Sequence, residues 1–119
     1  MPTEIRNFFE HYRDAFNTLD GQAVAELYPV PSGIAQDRKY THWPDFEPIR
    51  DNMVALCGLY RERGYVAAEF EPRAFIQQGE DYAIADLSWT IEWSNGAEPW
   101  QFSTTYNLVR TEEGWRVRA

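Results

Sequence analysis

Sulfur and imidazole are scarce in this chain. Its 119 residues contain one cysteine, Cys57, and two histidines, His11 and His42. A lone cysteine excludes an intrachain disulfide framework. Its place in a helical stretch of apolar periodicity marks it as a small buried hydrophobe rather than a nucleophile. Two histidines with no repeated carboxylate spacing give no metal site. Basic charge is short as well: 11 Lys and Arg stand against 19 Asp and Glu, a formal net charge of −8. That balance lacks the cationic footprint that nucleic acid or an anionic membrane needs. No window approaches the roughly 20 apolar residues of a membrane span. Met1-Pro2-Thr3-Glu4 is polar and acidic, unlike the start of a secretory signal. The expectation is a soluble cytoplasmic protein. A Ser or Cys triad, a phosphate-cradling glycine loop and a dinucleotide fingerprint are all missing, and no cofactor is expected. Repeats and linkers are missing too, so residues 1–119 read as a single domain.

Aromatic side chains, by contrast, are plentiful. Phe, Trp and Tyr make up 16% of the chain, with five Trp. Rings in that number must fill a core, line a pocket or form an interface.

The C-terminal third carries the clearest pattern. In Asp81–Trp93 one parity holds Ala83, Ala85, Leu87, Trp89, Ile91 and Trp93, and the other holds Tyr82, Ile84, Asp86, Ser88, Thr90 and Glu92. This is the period of a half-buried strand. Ser94-Asn95-Gly96 predicts a turn in which both Asn95 and Gly96 accept positive φ. Pro99–Arg110 forms the next strand, with Trp100, Phe102, Thr104, Tyr106 and Leu108 on one face. Thr111–Gly114 turns again, and Trp115-Arg116-Val117 starts a third strand. Strands of this length imply a curved sheet.

Upstream, Ile5, Phe8, Phe9, Tyr12, Phe16 and Leu19 form one apolar stripe and predict a helix over Thr3–Leu19, with Thr3 as N-cap. Asp20 caps a short helix over Gly21–Tyr28, which Pro29 and Pro31 stop. Gly33–Gln36 and Arg38–Trp43 read as a hairpin turning at Asp37. A third helix spans Phe46–Arg63, with a buried stripe of Ile49, Met53, Leu56, Cys57 and Tyr60 and a stop at Gly64. A strand over Tyr65–Gln78 follows, in which Pro72 marks a bulge or an edge. Helices followed by antiparallel strands argue α+β: three N-terminal helices packed on a strongly curved, mainly antiparallel sheet, a cone with a cavity at its open end.

The order and spacing of Phe9-x-x-Tyr12-x-x-Ala15-Phe16-Asn17-x-x-Asp20, Ala25-x-Leu27-Tyr28, Ala83-x-Ala85-x-x-x-Trp89, Tyr106-x-Leu108-x-Arg110 and Gly114-Trp115-Arg116-Val117 resemble the NTF2-like superfamily. The likeness is to its SnoaL-like and ketosteroid-isomerase-like branches and covers nearly the whole chain. It implies a cone-shaped, cystatin-like α+β barrel with an apolar pocket, commonly a homodimer built through the outer sheet face. Members range from isomerases, dehydratases and cyclases to binding modules, so the fold names no single activity. Against the isomerase pattern, Tyr12 matches the oxyanion-hole tyrosine of the first helix. The general-base aspartate falls on Gln36, one residue from Asp37, and the second oxyanion donor falls on Thr104. Glutamine cannot act as a base.

The residues predicted to line a ligand pocket are Tyr12, Phe16, Tyr28, Met53, Trp89, Trp100, Phe102, Thr104 and Tyr106, with Tyr12 and His42 as candidates for acid–base chemistry. His42 and Trp43 have opposite parity, so only one of them points inward. With the Trp89 face inside, Asp86 faces outward. Glu69 and Glu71 read as solvated edge charges, and His11 as exposed. Two functional readings follow. The first is a pocket protein for a small apolar or aromatic molecule, with cofactor-free acid–base chemistry. The second is a non-catalytic homodimeric interaction module.

Overall fold

The hydrophobic periodicities appear in the computed structural model, which describes residues 1–119, as elements in the expected order. They are α1 (Thr3–Asn17), α2 (Gly21–Ala25), β1 (Ser32–Gln36), β2 (Lys39–Trp43), α3 (Phe46–Glu62), β3 (Tyr65–Gln78), β4 (Tyr82–Trp93), β5 (Trp100–Thr111) and β6 (Gly114–Val117). The chain is α+β: β3-β4-β5-β6 form one antiparallel sheet, and β1-β2 form a separate hairpin.

Several element ends differ from the expectation, each for a local reason. Thr3 is already helical. The α1 N-cap is Pro2, whose carbonyl accepts from Ile5 and Arg6 N–H. At its other end α1 stops at Asn17 instead of running to Leu19. Leu19 takes φ 53°, its N–H reaches Phe16 O, and Asp20 N–H reaches Ala15 O, the paired bonds of a Schellman stop. Asp20 caps α2 as expected, accepting from Ala23 N–H at 3.0 Å. Regular helix then ends at Ala25, and the Leu27 carbonyl is taken by Val117 N–H of β6 at 2.9 Å. α3 ends at Glu62, with Gly64 at φ 83° behind it. The Asp37-Arg38 pair, both at positive φ, makes the two-residue hairpin turn. The β4–β5 connection is longer than a tight Asn-Gly turn, and there only Gly96 takes positive φ.

The sheet register places its faces without ambiguity. Ala68, Phe70 and Pro72 oppose Ile91, Trp89 and Leu87 on the inner face. The register slips between Pro72 and Ala74, so Pro72 sits beside a bulge on an edge strand, where its missing N–H breaks no interior ladder. Such irregularities bend and twist a strand, and the inner face curves around α1. Phe9 is fully buried there against Phe70 and Tyr106, at ring-centroid distances of 6.1 and 5.1 Å. Ile5, Ile49 and Leu87 are also fully buried, and each contributes about 1.5–3 kcal/mol of transfer free energy. α2 lies so close to α3 that a Cβ on Gly21 would stand 2.5 Å from Val54 Cα. Only glycine fits that crossing.

Candidate functional site

Between the open end of the curved sheet, α1, α3 and the β1-β2 hairpin lies a cavity of about 860 Å³. Seventeen of its 25 lining residues are hydrophobic, which favours an apolar occupant. All nine residues that sequence periodicity assigned to a pocket line it: Tyr12, Phe16, Tyr28, Met53, Trp89, Trp100, Phe102, Thr104 and Tyr106.

Their placement follows from the local structure. Tyr12 lies on the buried stripe of α1, one turn from Phe8, Phe9 and Phe16. Tyr28 follows α2, and the Leu27–Val117 bond fixes the backbone immediately before it. Trp89 and Tyr106 share the inner face of neighbouring strands. The result is a polar floor in an apolar chamber. The Tyr12 and Tyr28 hydroxyls are 2.8 Å apart, and Trp89 Nε1–H donates to the Tyr106 hydroxyl at 3.0 Å. The Tyr106 ring centroid lies 5.7 Å from that of Tyr12.

Burial raises all three phenols, because removing water penalises the phenolate. Tyr28 is pushed up to about 12. Tyr106 is raised further above its ordinary value, and Tyr12 is raised by burial and by the neighbouring Tyr28 and Tyr106 hydroxyls. They are therefore neutral donors, not bases. Cys57 is buried and its thiol is likewise pushed up by burial, which suits the inert role expected of it.

At the mouth stand Trp100, 47% exposed, and Phe102, with ring centroids 4.5 Å apart. Gln36 and Thr104, the positions where the isomerase pattern has other residues, do line the cavity, as does Asp37 one residue beyond Gln36. His42 does not. Trp43 is the inward residue of β2, so strand parity turns His42 to solvent, where its ring lies 6.3 Å from that of Tyr40. The histidine expected at the cavity mouth is thus placed outside it. His11 is exposed, as are Glu69 and Glu71. Asp86 faces outward, 3.6 Å from the Arg73 guanidinium and 3.2 Å from Thr105 Oγ1. No group of three His, Cys, Asp or Glu side chains is gathered in metal-binding proximity, and no helix is long and apolar enough to cross a membrane.

Sequence reasoning missed part of the lining. Leu56 and Tyr60 were assigned to the buried stripe of α3, yet they are only half-buried because they face the cavity. Tyr60 stacks on Tyr65 at 5.5 Å. Ile34 and Asn107 also contribute. A polar-tipped tyrosine within an apolar stripe was the available signal for Tyr60, as it was for Tyr12. A smaller hollow of about 460 Å³ lies beyond Tyr28 among His11, Glu26, Glu113 and Arg116, where Arg116 already pairs with Glu113 at 3.6 Å.

The profile of a family described as NTF2-like protein (DUF6841) matches residues 3–119. No curated protein matches the chain. Among solved structures, an NTF-2 like protein of unknown function from Shewanella oneidensis MR-1 superposes with a TM-score of 0.77 at 15% identity, covering 99% of this chain and 95% of that one. A putative calcium/calmodulin-dependent protein kinase type II association domain from Thiobacillus denitrificans gives 0.77 at 12%, covering 95% and 88%. A ketosteroid isomerase-like protein from Erwinia carotovora atroseptica gives 0.68 at 18%, covering 97% and 88%. At these identities the likeness is one of fold.

Proposed function

Since the chain belongs to the NTF2-like family DUF6841, whose fold hosts both enzymes and binding modules, we propose that its own cavity decides the matter and that the protein binds a small apolar or aromatic molecule. One observation carries this reading. The chamber of about 860 Å³ is apolar along its walls and ends in a few convergent hydroxyls, the usual composition of a ligand site. Any chemistry there is acid–base chemistry without a cofactor, with tyrosine O–H groups polarising the ligand. Asp37 is the only carboxylate side chain on the lining.

The test is a thermal-shift screen of aromatic ketones, phenols, steroids and terpenoids, repeated on Tyr12→Phe. A ligand at a hundredfold excess over Kd stabilises by about 2.7 kcal/mol. A shift that weakens in Tyr12→Phe supports the reading, and no shift in any class sinks it.

A second reading, homodimerisation, rests on the opposite sheet face. Ile76, Tyr82 and Ile84 are 63%, 57% and 37% exposed. Ile76 and Ile84 are register partners and Tyr82 shares their face, so the three form an apolar patch away from the cavity. The two readings are compatible, because the patch and the chamber lie on opposite faces of one sheet.

A further inference from the structure

The cavity floor holds more polar hydrogens than its own acceptors consume. Trp89 Nε1 and the hydroxyls of Tyr106, Tyr12 and Tyr28 carry one each. The Trp89–Tyr106 and Tyr12–Tyr28 bonds use one apiece. An indole N–H donates and never accepts. Trp89 therefore occupies a lone pair of the Tyr106 oxygen and turns the Tyr106 hydrogen away from itself. The Tyr106 hydroxyl makes no hydrogen bond other than this one, so its own hydrogen has no partner in the protein.

Charge narrows the occupant further. The lining contains no Lys, Arg or His, and Asp37 is its only charged side chain. An anion would be buried there with no counter-charge, which is costly. A neutral acceptor meets the surplus hydrogen without that cost. The raised phenols agree with this, since they stay protonated.

We propose that Trp89 is a positioning residue that aims the Tyr106 hydroxyl into the cavity as a donor, and that the site thereby selects an uncharged ligand with a hydrogen-bond acceptor at its leading end. This rests on the cavity being a ligand site, as argued above.

The test uses the full chain and three naphthalene probes: 6-propionyl-2-(dimethylamino)naphthalene, its 6-propyl counterpart without the carbonyl, and its 6-carboxylate counterpart. The ketone's emission moves to the red when its carbonyl accepts a hydrogen bond. The ketone is expected to bind about three- to tenfold more tightly than the propyl probe, the net effect of one neutral hydrogen bond, with the carboxylate weakest. In Tyr106→Phe and Trp89→Phe that ratio falls and the bound ketone's emission moves to the blue. Each variant's propyl-probe affinity is the reference for its ratio, so a change in chamber packing cancels. A mere packing role for Trp89 would change ketone and propyl affinities together and leave the emission in place, which overturns the positioning role. Equal ketone and propyl binding to the unmodified protein, or tightest binding of the carboxylate, overturns the selectivity but leaves the cavity a ligand site. Failure of all three probes to bind overturns both readings.

Discussion

The Tyr12 hydroxyl meets the Tyr28 hydroxyl at 2.8 Å across a separation of 16 residues, joining the middle of α1 to the segment that follows α2. Both are buried, so neither has water as a ready substitute. Removing one oxygen leaves the other without this partner. Tyr12→Phe and Tyr28→Phe are each expected to cost about 1 kcal/mol of stability. The double variant should cost less than the sum. Urea unfolding of the four proteins in the cycle measures that coupling, and strict additivity would mean the bond contributes nothing.

The buried phenols make the fold sensitive to alkali. Tyr12, Tyr28 and Tyr106 have folded values raised above the ordinary 10.0 by burial, to about 12 for Tyr28. Above pH 10 the unfolded chain therefore binds fewer protons than the folded one. The stability these groups contribute is complete below pH 10 and is lost as pH rises from there through about 12. Each group adds at most about 1.4 kcal/mol per pH unit to the slope. Urea midpoints taken across that range check the sign, and absorbance at alkaline pH should show tyrosines ionising late.

Asn17 ties the end of α1 to the start of β3 in the manner of a ladder residue. Its Oδ1 accepts from Ala68 N–H at 2.8 Å and from the Tyr65 hydroxyl at 2.6 Å, while its Nδ2 donates to Ala68 O at 3.3 Å. Asn17→Ala strands these partners and is expected to cost about 2 kcal/mol. Asn17→Asp keeps the acceptor and should cost less. Hydrogen exchange at Ala68 N–H gives a local readout, with protection falling in Asn17→Ala.

Two aromatic truncations should separate stability from binding. Phe9→Ala empties a fully buried site against Phe70 and Tyr106 and should cost about 3–5 kcal/mol. Trp100→Ala removes a half-exposed ring at the cavity mouth. It should leave the thermal midpoint nearly unchanged while weakening any cavity ligand. A large loss of stability in Trp100→Ala would place that ring in the core instead.

The outer face offers a test of association. Ile84 stands opposite Ile76, with Tyr82 on the same face. Sedimentation should give a dimer for the unmodified protein and a monomer for Ile84→Glu, because a desolvated carboxylate opposing its own copy is unfavourable. A monomer in both cases removes the dimer reading.

Much of this molecule was legible locally. The alternation in Tyr82–Trp93 set which residues share a face, because strand side chains alternate by geometry alone; which of the two faces is internal was decided by packing, which puts Trp89 inside and Asp86 outside. The stripe from Ile5 to Phe16 placed α1, and those two periodicities together put Tyr12, Phe16 and Trp89 on the cavity wall. The helix ends were less legible. Leu19 fits the apolar stripe, yet it serves as the left-handed stop of α1.

What periodicity could not supply was anything set by the distance between elements. Whether the aromatics would close into a solid core or leave a chamber depends on how far the sheet bends, and the bend accumulates over register slips such as that between Pro72 and Ala74. The pairing of Tyr12 with Tyr28 and of Trp89 with Tyr106 likewise joins side chains from separate elements. The placement of His42 in solvent was decided when its neighbour Trp43 packed inward. Sequence determined which side chains share a face, because that is a property of one element. The tertiary structure decided how much space those faces enclose and which hydroxyls meet, because both depend on the relative placement of several elements.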